Sequence, residues 1–205
     1  CSGQDTRNES SLSSDMGLGS IIYDYRNIKS FFPSKYIEFF PNELDTSFIT
    51  YSDCLSPELG ALHLYLVKHI TWKDSSIIDS VYSNYEALYL SSDTCLLVIN
   101  RFANRDRYFN IIISKEEEQQ INLPCYEDKL PIPNFWQFDF STKANESKLP
   151  NGYQIYVLEA KSGNYMSDKF LTNGRSMPMM WKNGISKGIA INSIEGIIIY
   201  WLSIW

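Results

Sequence analysis

The stretch Gly188-Ile189-Ala190-Ile191-Asn192-Ser193-Ile194-Glu195-Gly196-Ile197-Ile198-Ile199-Tyr200-Trp201-Leu202-Ser203-Ile204-Trp205 decides the fold. Two β-branched-rich runs, Gly188 to Asn192 and Ile197 to Trp205, flank Ser193-Ile194-Glu195-Gly196, a short connection with a closing glycine, which reads as a β-hairpin. In the second run Ile197, Ile199 and Trp201 point one way and Ile198, Tyr200 and Leu202 the other, so both faces are apolar. A strand of that kind belongs inside a sheet covered on both sides.

Upstream segments fill in the rest. Tyr153 to Ala160 reads as a further strand, and the pairs Asn151-Gly152, Asn173-Gly174 and Asn183-Gly184 mark tight turns. Leu62-His63-Leu64-Tyr65-Leu66-Val67 alternates with period two, as in a strand, with a helix as the second choice. Thr94 to Asn100 and Tyr108 to Ser114 read as strands paired through 101–107. Ile77, Ile78, Val81, Tyr82 and Tyr85 share a helical face, which predicts a helix from a cap at Asp74 or Ser75 to about Tyr89. Pro33 precedes Tyr36, Ile37 and Phe40, a second, short helix over Ser34 to Phe40. Pro124, Pro131 and Pro133 make Leu123 to Trp136 an ordered irregular loop. The expected fold is α+β: one domain over 21–205, with a largely antiparallel sheet, two or three helices, long ordered loops and no internal repeat.

The chain has 205 residues, 44% hydrophobic and 15% aromatic, which suffices for one well-cored domain. Its net charge of −6, with no basic run, argues against nucleic acid as a partner. The densest charge cluster, Glu116-Glu117-Glu118, reads as a solvated loop or helix start. No stretch approaches the roughly 18 to 20 apolar residues of a membrane-spanning helix. Residues 1–20 are rich in Ser, Gly, Asn and Asp and read as a flexible tether.

Catalytic signatures are missing from the sequence. There is no nucleophile elbow, phosphate loop, zinc-protease motif, calcium loop or dinucleotide fingerprint. In Gly184-Ile185-Ser186-Lys187-Gly188 the spacing is wrong for an elbow, and a turn entering the strand accounts for both glycines. His63 and His69, on one strand, would lie about 20 Å apart and could not share a metal. Carboxylates such as Asp24, Glu38, Asp53, Glu58, Asp139 and Glu159 would have to converge on a cleft to act as acid and base. We expect no catalytic residues, no cofactor and no metal. The candidate partner surface is instead apolar: Phe135, Trp136 and Phe138 after the proline-rich segment, with Met179 and Trp181 between two Asn-Gly turns, all residue types enriched in interface cores. The alternative is that these loops cap the core.

The opening Cys1-Ser2-Gly3-Gln4-Asp5 and the polar stretch behind it resemble mature lipoproteins of Gram-negative bacteria, and the Asn-, Ile- and Tyr-rich, alanine-poor composition is similar to that of Bacteroidota. The resemblance implies a lipid on Cys1, anchorage to the outer membrane on its periplasmic or cell-surface face, and at most one disulfide among Cys54, Cys95 and Cys125. Asp79-Ser80-Val81 likewise resembles the short O-glycosylation motif of that phylum. By the same analogy the expected function is a non-enzymatic interaction module, an accessory subunit of an outer-membrane protein complex. Glycan binding or an immunity or protective role is the alternative, and a hydrolase comes last.

Overall fold

Strands β6 (Gly184–Asn192) and β7 (Ile197–Ile204) form the hairpin at the centre of the sheet, turning at residues 193–196 with Gly196 at φ 65°. The computed structural model describes residues 2–3, 24–55, 61–85, 88–99, 115–135, 147–171 and 177–205. Within them lies one seven-stranded antiparallel sheet, in the order β1 (Ser2–Gly3), β2 (Phe48–Cys54), β3 (Leu62–His69), β7, β6, β5 (Gln154–Ser162), β4 (Tyr89–Leu90). The expected α+β class is observed. Helical residues 24–30 (α1), α2 (Ser34–Ile37), α3 (Ser75–Asn84) and α4 (Lys115–Gln119, holding the acidic run) complete the elements.

Period-two alternation distributes β7 as its sequence requires. Ile198, Tyr200, Leu202 and Ile204 join Leu64, Leu66, Ile185, Ile189 and Ile191 on one face, where Tyr25, Ile28, Phe32, Ile37, Phe40 and Val81 from the helical layer cover them. On the other face Ile199 and Trp201 meet Ile155, Val157 and Ala190 beneath an irregular layer carrying Leu96, Val98, Ile132 and Leu149. Trp205 heads a third cluster with Met177, Trp181, Leu97 and Tyr126. The sheet is therefore sandwiched between helices and ordered loops. A disulfide, Cys95–Cys125, with Cα atoms 6.3 Å apart, ties two parts of the loop layer together.

Several expectations need correction. Gly184 and Gly188 do not form a turn; they lie inside β6, directly opposite Trp205 and Trp201. An added Cβ at Gly188 would stand 2.3 Å from the Trp201 ring and 2.2 Å from the Tyr156 carbonyl. The glycines give the two indoles room to lie across the strand. Helix α3 stops at Asn84, where Tyr85 turns extended (φ −131°, ψ 125°) to lead toward β4. Thr94 to Ile99 is not a regular strand: Val98 makes an isolated parallel bridge to Ile132, and the apolar run is simply buried. Its expected partner, Tyr108 to Ser114, lies outside the described residues, as do residues 4–20 of the stretch read as a tether; Ser2 and Gly3 pair with Asp53 and Ser52 of β2.

Candidate functional site

The expected apolar surface divides in the structure. Phe135 is half-buried, edge-on to Trp201 at 5.4 Å between ring centroids and 6.4 Å from Tyr65. Trp181 is 7% exposed and belongs to the core: its carbonyl accepts a 2.9 Å hydrogen bond from Trp205 Nε1, and the two rings pack together. The core-capping alternative describes it. Met179 stands free at 81% exposure, beside Met180. Trp136 and Phe138 lie outside the described residues.

Two buried polar groups invite a catalytic reading, and the geometry explains both as structure. Asp74 accepts hydrogen bonds from Lys68 Nζ to both oxygens (2.9 Å), from the Thr71 amide and hydroxyl (2.8 Å) and from the Tyr200 hydroxyl (2.9 Å). Burial alone would raise its pKa, but the hydrogen bonds from Lys68, Thr71 and Tyr200 together hold it below the usual carboxylate range. With five hydrogen bonds from four donor atoms the carboxylate has no acceptor site left for a substrate. It clamps the start of α3 to β3 and β7. Beside Lys68 is a cavity of about 10 Å³, bordered by Leu44, Ser47 and Phe48, room for one water.

His63 Nδ1 lies 3.0 Å from Ser203 Oγ, and the Tyr65 hydroxyl is 3.3 Å from the same nitrogen. A serine beside a histidine has the parts of a nucleophile and its base. Ser203, however, is 0% exposed within the sheet, where no substrate carbonyl reaches it. Burial pushes the His63 pKa down to about 4, so the ring is neutral near pH 7. His69 sits at the far end of the same strand, exposed. The serine of the glycine pair, Ser186, is also fully buried and donates to the Pro131 carbonyl at 2.7 Å.

The carboxylates do not gather. Glu159 is paired with Lys161 (2.6 Å) and Lys187 (3.0 Å), Asp24, Glu38 and Asp53 sit on α1, beside α2 and on β2, and Glu58 and Asp139 lie outside the described residues. Among the described residues no three acidic, histidine or cysteine groups come together as metal ligands. No described helix is long and apolar enough to cross a membrane.

What the structure does concentrate is exposed apolar surface, away from Phe135, Met179 and Trp181. Of nine large apolar side chains exposed among the described residues, six belong to the elements that meet at the β6–β7 turn: Trp72, Tyr82 and Tyr85 on and beside α3, Leu88 and Leu90 at β4, and Ile194 in the turn itself. The connections are direct. The Ile70 amide donates to the Gly196 carbonyl, Tyr82 and Ser193 share a 3.3 Å hydrogen bond, and Leu90 pairs with Gln154 in the last row of the sheet. Ile194 is 94% and Trp72 81% exposed, so neither contributes to the core. Asp79-Ser80-Val81 lies on α3 here, with Ser80 exposed and Val81 buried. A hydrophobic residue at the tip of a turn and a bare indole at a helix entry are the signals that could have located this face.

No family model, no curated protein and no solved structure matches the chain.

Proposed function

We propose that the chain is a lipid-anchored cell-envelope lipoprotein that works as a non-enzymatic interaction module, an accessory subunit of an outer-membrane protein complex. The observation that carries the reading is the gathering of Trp72, Tyr82, Tyr85, Leu88, Leu90 and Ile194 at one end of a sheet whose own faces are already covered. At about 150–250 Å² per aromatic side chain, the three rings alone expose on the order of 350 Å². That reaches the range of the largest apolar patch on an ordinary monomer before the three aliphatic groups are added, and a patch of that size is often functional.

Two further features support the cellular setting. The Cys95–Cys125 disulfide is of a kind retained in oxidising compartments, the bacterial envelope among them. The anchor itself rests on Cys1 and the polar stretch behind it. Sugar binding is the second reading, favoured by the Trp72 indole, whose exposed face suits stacking on a pyranose ring.

The test is to solubilise envelopes in mild detergent, isolate the native chain and identify what accompanies it. A stoichiometric membrane-protein partner supports the first reading, and retention on polysaccharide columns without one supports the second. Isolation as a lone chain with neither property refutes both. Metabolic labelling with palmitate, lost in Cys1→Ser, tests the anchor.

A further inference from the structure

From the charge around this apolar end we infer its partner: a protein segment in which large apolar residues are interspersed with lysine or arginine. The inference rests on the interaction-module reading and adds the face and the chemistry it recognises. Asp79 and Glu195, both exposed, and Asp93, half-buried, stand among the apolar groups on α3, in the β6–β7 turn and after β4. Glu195 and Asp93 each act on a neighbouring tyrosine, raising the pKa of Tyr153 and Tyr89 after the larger effect of burial. Among the described residues the cations nearby are Lys73, held 3.3 Å from Asp45, Lys129, 5.3 Å from the centre of the Tyr89 ring, and Lys148, in the 147–149 segment that hydrogen-bonds Ser91. With Lys73 matched by Asp45, the three carboxylates Asp79, Asp93 and Glu195 stand against Lys129 and Lys148 among the described residues, and a cationic partner complements that excess.

The same charge disfavours the other occupants. A second copy docked face to face would set Asp79 and Glu195 against their own duplicates, in a chain whose net charge is already −6. Anionic lipid headgroups would be repelled in the same way.

The test uses the full 205-residue chain carrying Cys1→Ser, which avoids detergent, and two fluorescent helical peptides, one of leucine and lysine in amphipathic spacing and one with glutamate in place of each lysine. The lysine peptide should bind at least tenfold tighter than the glutamate peptide, and more weakly as salt is raised. Trp72→Ala and Ile194→Ser should each weaken it at least fivefold with unchanged melting temperature, Glu195→Gln about threefold, and Met179→Ser not at all. Equal binding of both peptides, or binding indifferent to Trp72→Ala and Ile194→Ser, overturns the proposal. So does sedimentation as a dimer that Ile194→Ser dissolves, or capture by neutral vesicles or laminarin that Trp72→Ala abolishes. Any of these with an envelope protein still accompanying the native chain removes only this face and its chemistry, whereas an unaltered chain that isolates alone removes the interaction-module reading beneath it.

Discussion

Replacing Gly188 with alanine inserts a methyl group where β6 has no space. Its carbon would stand 2.2 Å from the Tyr156 carbonyl oxygen and 2.3 Å and 2.5 Å from two Trp201 ring carbons, against the roughly 3.5–4 Å of ordinary contact. Neighbours on both sides must give by more than 1 Å. One is backbone of β5 and the other a fully buried indole packed against Phe135. Overpacking of this kind costs about 1–3 kcal/mol and sometimes more. With both obstacles rigid we expect about 3 kcal/mol or more, a melting temperature lower by about 6–12 °C in a chain of this length. Gly196→Ala is the control, since its φ is 65° and nothing lies within 4 Å, leaving only backbone strain of about 1 kcal/mol. Gly184→Ala, with contacts of 2.9 Å to the Lys161 carbonyl and Trp205, should fall between them at about 2 kcal/mol. Combining Gly188→Ala with Trp201→Leu should give a loss smaller than the sum by about 1 kcal/mol, because the shorter side chain relieves one of the two clashes. Urea unfolding followed by tryptophan fluorescence and circular dichroism measures these four variants and Trp201→Leu alone. A Gly188→Ala protein within 1 kcal/mol of the parent, or one more stable than Gly196→Ala, refutes the packing argument.

Removing one partner of the buried Lys68–Asp74 pair should cost about 3–5 kcal/mol, because the other charge is left buried. As the folded Asp74 pKa lies below its unfolded value, the stability it contributes is complete above about pH 4 and is lost as pH falls through the depressed value, so the gap between parent and Asp74→Asn should narrow in acid. His63 also has a lowered folded pKa, about 4 against 6.5, and its contribution is complete above pH 6.5 and declines toward pH 4. Between pH 7 and pH 5 the parent should lose about 2 kcal/mol that His63→Gln does not lose, read from urea midpoints at the two pH values. Reducing Cys95–Cys125, which closes a loop across a sequence separation of 30, should remove about 3–4 kcal/mol, seen as a lower midpoint in dithiothreitol that Cys95→Ser/Cys125→Ser reproduces without reductant. Trp181→Ala should cost about 3–5 kcal/mol as a core residue, while Met179→Ser stays within about 0.5 kcal/mol, compared by thermal melts.

The middle of the sheet was legible because β7 carries apolar residues on both faces and the turn at 193–196 carries Gly196, so period, composition and punctuation agree. The start of β6 was not. Gly184 and Gly188 have no side chain to show a period, and a glycine in sequence points to a turn by default; only the register against Trp205 and Trp201 reveals why no other residue fits. Strand β2 was hidden by the irregular register between Phe48 and Thr50, which breaks the alternation. Leu96 to Ile99 are buried without forming the expected strand, because an apolar run reports burial and is silent about a hydrogen-bonding neighbour. The burial of Trp181, expected on the partner surface, was hidden for a related reason. Trp181 and Trp72 both sit in single 3-10 turns, and what separates a buried indole from a bare one is whether Trp205 or open solvent faces it.

The most direct test of the interaction-module account is site-specific photocrosslinking in intact envelopes. A photoreactive phenylalanine analogue is placed at Ile194, and separately at Met179 and Phe31, exposed positions away from the β6–β7 turn. The account predicts a discrete protein adduct from position 194 alone, with the crosslinked peptide rich in lysine or arginine beside large apolar residues. Adducts of equal yield from all three positions, or a position 194 that reacts only with water, lipid or polysaccharide, would contradict it.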